Sequence, residues 1–462
     1  MCIRDSIYKM SIDKSNFKFQ SHYIGLWSRI DAPEEQLSGT LFIDQQKIWI
    51  ELCCIDSEQG LPENIGSLNG CTYSIDDTGK ESAVNIFVEG LSFVRYFHSG
   101  SELNLMHYTF SVDCIYIYEG ELHKDKIGAL TIRATILDKW ASPIMTNAYH
   151  NEVFKQLPLS HHAIYFISPS PYTLLRSSDF FVAIKFHCKY QIGGINQGIE
   201  QCAFLYLSSH RKCSFLDFQT YVNQFHYLFF LLTNRIHPID YMYCEDGCNT
   251  FVYKPNEQQL CRYIVSHDDP EPATTSDDFS TEELQSIFLQ WIELYNKYSD
   301  AINTFFETLT NIYTSPASQI KNFISSIDAL TKGINGNAGI VHPNSNRAKT
   351  LEAIFNRNVL TPDEKNRLKG WLLQVKGTEL KPRFSKMLER ISQYIPANLG
   401  ADFVEKIVNT RNNITHPYMN ETFCFNSNEY RKVSYELNYI IRAYLLVSIG
   451  VKESIITKLL GK

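Results

Sequence analysis

Arg411, Asn412 and His416 lie within the run Arg411-Asn412-Asn413-Ile414-Thr415-His416-Pro417-Tyr418, and their side chains suit work on a phosphodiester. A guanidinium stays charged throughout the physiological range and grips phosphate oxygens through two parallel donors. An imidazole exchanges protons near neutral pH, and an amide can position either group. With RNA as substrate the adjacent 2′-hydroxyl can act as nucleophile, so the chemistry requires no metal. The sequence offers no obvious carboxylate cluster to hold one. The same interval occurs at Arg262-Tyr263-Ile264-Val265-Ser266-His267, in a strand-like run with no polar residue after the arginine. The interval alone therefore carries little. Helix position, Asn412 and the helix-ending Pro417 carry the reading, against the plainer one of an interior arginine and a loop histidine.

Other candidates are weaker. Twelve cysteines are scattered from Cys2 to Cys424, and Cys244 and Cys248, with Cys261 and His267 downstream, form the one cluster with metal-ligand character. A C-x3-C pair with irregular partners reads as ordinary thiols, which behave as small hydrophobes in a reducing compartment. Asp76-Asp77 and Asp268-Asp269 fall in loops rich in turn residues and read as solvated acids.

The element that must carry the motif is a helix from about Ala401. With Phe403 at 0° on a helical wheel, Ile414 falls at about 20°, Ile407 at about 40°, Val404 at about 100° and Val408 at about 140°. Arg411 falls at about 80°, in the middle of this apolar stripe, and Asn412 at about 180°, towards its edge. A guanidinium there must be paired or face a cleft or subunit interface, because burying it alone costs several kcal/mol.

Around that helix the period is helical. A long helix carries Ile287, Phe288, Trp291, Ile292, Tyr295, Ile302, Phe305, Phe306 and Leu309, opened by the capping box Ser280-Thr281-Glu282-Glu283. Further helices are predicted near 316–332, 382–394 and 430–450, with a start at Thr361-Pro362-Asp363-Glu364. Upstream, from about Phe17 to Val265, short β-branched and aromatic runs alternate with turn residues. They include 40–43, 47–52, 84–88, 114–118, 130–136, 163–167 and 180–184, with Asp44-Gln45-Gln46 as a break of hairpin length. Ser214–Asn234 is the exception, with a helical apolar repeat. The expected organisation is a leader at 1–16 with Met10 as the start, a β-rich domain at 17–265, an acidic linker at 266–280 and an α-helical domain at 281–462. The fold class is α+β.

Composition bounds the function classes. Hydrophobic residues make up 44% of 462, enough for a sizeable core, and no apolar run approaches the ~20 residues a membrane span needs. A cytoplasmic protein with no membrane partner is expected. The net charge of −7 is uneven: residues 276–462 carry 22 basic against 19 acidic side chains, and 347–411 carry 13 against 7. A local basic excess on an acidic protein fits a polyanion held at one place.

Arg411-Asn412-x3-His416 at a helix end resembles the Arg-x4-6-His motif of HEPN-domain ribonucleases, whose second position is typically polar. Gly25-Leu26-Trp27, Pro33-Glu34 and Gly39-Thr40-Leu41-Phe42 resemble the opening of the ApeA-type N-terminal domain, which occurs fused to an ApeA-like HEPN domain in bacterial anti-phage proteins. The resemblance implies a metal-independent endoribonuclease without a cofactor, cutting RNA by 2′-hydroxyl attack to leave a cyclic phosphate. In it Arg411 would neutralise the phosphate, His416 would serve as general acid/base and Asn412 would position one or both. It implies an RNA substrate, a homodimer formed through the HEPN domain, and a phage-derived trigger met by the N-terminal domain. The alternative is a HEPN bundle used only to bind RNA or to dimerise. Asp328 stands where the family would have Glu, and it is left out of the site.

Overall fold

The structure is a computed structural model. It describes residues 21–44, 47–55, 65–75, 81–99, 105–118, 122, 126–141, 171–177, 180–191, 198–235, 239–244, 250–253, 272–311, 313–332, 353, 361, 363–364, 380–395, 399–400, 402–416 and 423–461. The chain divides into two compact units, Met1–Leu289 and Gln290–Lys462.

The first unit is built on antiparallel strands. β1 (His22–Arg29), β2 (Gln36–Ile43), β3 (Ile48–Ile55), β4 (Ser67–Ile75), β5 (Glu81–Ser99) and β6 (Leu105–Tyr118) run in the order β3-β2-β1-β4-β5-β6. The first half of β6 pairs back onto β3, from Ile48↔Val112 to Ile55↔Leu105, and closes the ring into a barrel. Period-two alternation drives it: β1 turns Tyr23 and Trp27 inward and leaves Ile24 and Leu26 outside. The Trp27 indole is fully buried and donates to the Gly39 carbonyl at 3.1 Å. Gly70 has to be glycine, since a Cβ there would clash with the Trp27 ring. β2 and β3 form the expected hairpin, with Asp44 N–H donating to the Lys47 carbonyl at 2.9 Å.

The second half of β6 carries the sheet onward. β12 (Thr250–Tyr253) pairs with it at Ile115–Ile117, followed by β11 (Tyr241–Cys244), β7 (Ile127–Arg133), β10 (Gly198–Cys213), β9 (Phe180–Gln191) and β8 (Tyr172–Arg176). Two helices pack on this sheet, α1 (Ile136–Ala141) and α2 (Phe215–Thr233), with Trp140 edge-on to Phe229 at 5.1 Å and Tyr221 stacked on Phe180 at 4.2 Å. The predicted helix at 214–234 is α2, capped by Ser214 with Asp217 and closed by left-handed Asn234. The strand expected over 130–136 stops at Arg133 instead. Asp138 accepts from Arg133 at 2.7 Å and from the Ala203 amide at 2.6 Å, which turns the chain into α1. From residue 272 on, the acidic stretch is held to α2: Thr274 donates to the Leu232 carbonyl at 2.5 Å, and Phe279 is buried. The strand expected at 163–167 lies outside the described residues.

The second unit is helical, as expected. α3 (Thr281–Thr310) opens with the Ser280–Glu283 capping box and begins in the first unit, where Phe288 stacks on Phe225 at 5.6 Å. It bends at Tyr298, whose φ of −134° and ψ of 32° are not helical. α4 (Pro316–Thr331), α5 (Leu380–Arg390), α6 (Phe403–Thr415), α7 (Tyr430–Ser448) and α8 (Glu453–Leu460) follow. Phe305, Phe323, Ile327, Phe384, Ile407 and Leu437 are among the side chains that fill their core.

Candidate functional site

Helix α6 delivers the motif. The Phe403 amide donates to the Gly400 carbonyl at 2.9 Å, and Asp402 pairs with Lys406 one turn on at 3.1 Å. Asp402 and Glu405 place acidic groups at the positive end of the helix dipole. The helix stops at His416, where φ is −134° and ψ is 74°.

At that end Asn412 touches both neighbours of interest. Its side-chain oxygen accepts a long hydrogen bond of 3.4 Å from Arg411 Nη1. Its main-chain carbonyl accepts the His416 amide at 2.7 Å. All three residues are half-buried. The structure therefore brings Arg411, Asn412 and His416 together at one helix terminus. A guanidinium and an imidazole carried by the same part-exposed helix terminus are residue types that can meet a phosphodiester from solvent.

The apolar stripe of the wheel is wider than the face the fold covers. Phe403, Ile407 and Thr410 are buried, while Val404, Val408 and Ile414 are half-buried like Arg411. The guanidinium thus occupies a flank of the helix and escapes the desolvation that full burial would impose.

The opposite flank is polar and tightly bonded. Asn409 Nδ2 donates to the Phe423 carbonyl at 3.0 Å, and the Phe425 amide donates to Thr410 Oγ1 at 2.9 Å. Asn413 Nδ2 lies 3.1 Å from Cys424 Sγ, and Lys406 Nζ sits 5.0 Å above the Phe423 ring. None of these residues stands out in the sequence by the interval that marks Arg411 and His416. The signal was there, because Asn409-Thr410-Arg411-Asn412-Asn413 puts asparagine and threonine mid-helix, where they are intrinsically disfavoured.

Asp328 has a structural role. It receives an ion pair from buried Arg383, whose guanidinium also donates to the Asp328 carbonyl at 2.8 Å, tying α4 to α5. Basic side chains near the motif are partly neutralised in the same way. Lys381 pairs with Glu405 at 3.1 Å and Lys406 with Asp402, so two of the thirteen bases in 347–411 are engaged by acids of the same stretch.

Cys244 is buried in β11. Cys248, Cys261, Arg262, His267, the two aspartate pairs, Pro417 and Tyr418 lie outside the described residues. Among the described residues no group of three His, Cys, Asp or Glu is placed to hold a metal ion. No described helix is long and apolar enough to cross a membrane.

Residues 22–291 match the family model described as ApeA N-terminal domain 1, and residues 321–455 match that described as Apea-like HEPN. Neither the curated proteins nor the solved structures contain a match.

Proposed function

Since this chain belongs to the ApeA family of anti-phage HEPN nucleases, we propose that it is a metal-independent endoribonuclease whose reaction centre is Arg411, Asn412 and His416. The observation that carries this reading is the pair of hydrogen bonds that Asn412 accepts, on its side-chain oxygen from Arg411 and on its main-chain carbonyl from the His416 amide. In the reaction the 2′-hydroxyl oxygen of RNA attacks the adjacent phosphorus. The bond from phosphorus to the 5′-oxygen breaks, leaving a 2′,3′-cyclic phosphate and a 5′-hydroxyl. Arg411 neutralises the charge that builds on the non-bridging oxygens, where a guanidinium binds bidentately. His416 moves the proton, taking it from the 2′-hydroxyl or giving it to the leaving oxygen.

Two further assignments accompany it. The half-buried flank of α6, with Val404, Val408 and Arg411, suits a homodimer in which a second copy covers it and completes the site. The β-rich unit holds the nuclease inactive in the bacterial cytoplasm until it meets a phage-derived trigger, and host RNA is then cut to stop infection.

The test is cleavage of total bacterial RNA by the purified full-length protein, with and without extract of phage-infected cells. Arg411→Ala and His416→Ala are each expected to lower cleavage by about 10²–10⁴-fold, to end phage protection, and to keep the parent's circular dichroism. Normal cleavage by either variant refutes the assignment.

A further inference from the structure

His416 is the first residue beyond α6, so the last helical turn before it is one of the restraints on where it stands. Helix ends fray, because their last carbonyls lack partners within the helix. Beyond His416 the described chain resumes at Phe423, and there it is fastened to the same helix. Asn409 Nδ2 takes the Phe423 carbonyl at 3.0 Å, Thr410 Oγ1 takes the Phe425 amide at 2.9 Å, and Asn413 Nδ2 meets Cys424 Sγ at 3.1 Å. Lys406 lies over both rings, at 5.0 Å from Phe423 and 5.8 Å from Phe425, and Phe425 packs on Phe403 at 5.9 Å. Three successive residues of the return are thus held by side chains spanning two turns of α6.

The placement is asymmetric. On the wheel Asn409 falls at about 240° and Asn413 at about 280°, on the far side from Arg411 at about 80°, with Thr410 at about 340° between them and the buried Phe403. Thr410 is fully buried and Asn409 nearly so. Groups of this kind are retained inside a protein only when their hydrogen bonds are made. Here Thr410 Oγ1 donates to the Lys406 carbonyl at 2.7 Å, and the 423–425 backbone supplies the donor it accepts from and the carbonyl Asn409 donates to. The same helix therefore shows one flank to a substrate and clasps its own continuation with the other.

We infer that Asn409, Thr410 and Asn413 are positioning residues for the reaction at Arg411 and His416: by fastening Phe423–Phe425 to α6 they hold its last turn and fix where His416 stands. The inference rests on the ribonuclease reading for its kinetic part and on geometry alone for its structural part. None of the three touches the substrate. Loosening them acts through His416.

The experiment uses the full chain, a single-stranded RNA oligonucleotide as probe, and four variants: Asn409→Ala, Thr410→Val, Asn413→Ala and Thr410→Ser. Thr410→Val keeps shape and removes the hydroxyl, and is expected to lower kcat about tenfold or more with KM changed less than about twofold, as misplacement of a reacting group does. Thr410→Ser retains the hydroxyl and restores kcat. Hydrogen exchange at the Asn413–His416 amides rises about tenfold in Thr410→Val while that of Leu437–Ile441 does not change. Unaltered exchange at Asn413–His416 overturns the inference, as does a rise in KM alone or a kcat equal to the parent's. If the parent protein cuts no RNA under any condition, the ribonuclease reading falls instead, and the exchange rates still decide whether the clasp holds the helix end.

Discussion

The β-rich and helical units bury polar groups in different ways. In the first, the buried polar residues among those described are Thr72, Thr109, Gln224, Thr233, Thr250, Thr274 and Ser276, and none is charged. In the second, Arg383, Arg442, Gln319, Asn409 and Asn438 join threonines and serines. A barrel satisfies its backbone between strands and can fill its centre with apolar side chains, Trp27, Leu41, Ile50 and Phe110 among them. Helices satisfy their own backbones, so side chains are left to fix how one helix sits on the next. Arg383 to Asp328 and Ser434 to Gln319, at 2.7 Å, are such ties. The difference teaches where mutation should be felt: as lost packing in the barrel, and as unpaired polar groups in the bundle.

That contrast can be broken or sharpened by experiment. Trp27→Ala should cost about 3–5 kcal/mol in the first unit, a large-to-small loss that also removes the hydrogen bond to the Gly39 carbonyl, read as an earlier urea transition. A cost under about 1 kcal/mol would mean that the barrel is not packed around this ring. Arg383→Met, which keeps the aliphatic bulk, should cost about 2 kcal/mol by thermal melting. The figure stands below the full penalty of a broken buried pair because the Asp328 side chain is 40% exposed and water can replace the lost partner. Ser434→Ala leaves the Gln319 oxygen without its donor and should cost about 1 kcal/mol. Ser214→Ala removes the cap of α2 and should cost about 0.5–1 kcal/mol, with a loss of helical ellipticity.

The smallest expected effect is on pH. The Ser214 hydroxyl and amide hold the Asp217 carboxyl below its ordinary value of 3.8, and the Thr361 amide and hydroxyl hold Glu364 below 4.5. Depressed acids add stability above the ordinary value and lose it as pH falls through the folded value. Asp217→Asn and Glu364→Gln should each flatten the acid limb of a melting-temperature profile below about pH 4.5, one from each unit. A steeper limb in either variant would contradict the capping role.

Much of this was legible in the sequence because the signals are local. Capping boxes at Ser280–Glu283 and the helical repeat of 214–234 depend on residues a few positions apart, and both are present. The β2–β3 hairpin followed from the short polar break. The end of β7 was not legible, since Asp138 is set by Ala203, far along the chain. Barrel closure was equally hidden, because the partner of β3 is β6 and no period in either strand names the other.

The candidate site shows the same division. Residue types, their interval and the helix that carries them are properties of the sequence, and so is the proximity of Arg411, Asn412 and His416. Which side of that helix is covered was decided by tertiary structure. A wheel ranks side chains by apolarity and sees one stripe, whereas the fold buries Thr410 and Asn409 under a returning backbone and leaves Val404, Val408 and Arg411 half-open. Burial depends on what arrives from elsewhere in the chain, and a polar side chain can be buried at little net cost once the arriving groups complete its hydrogen bonds.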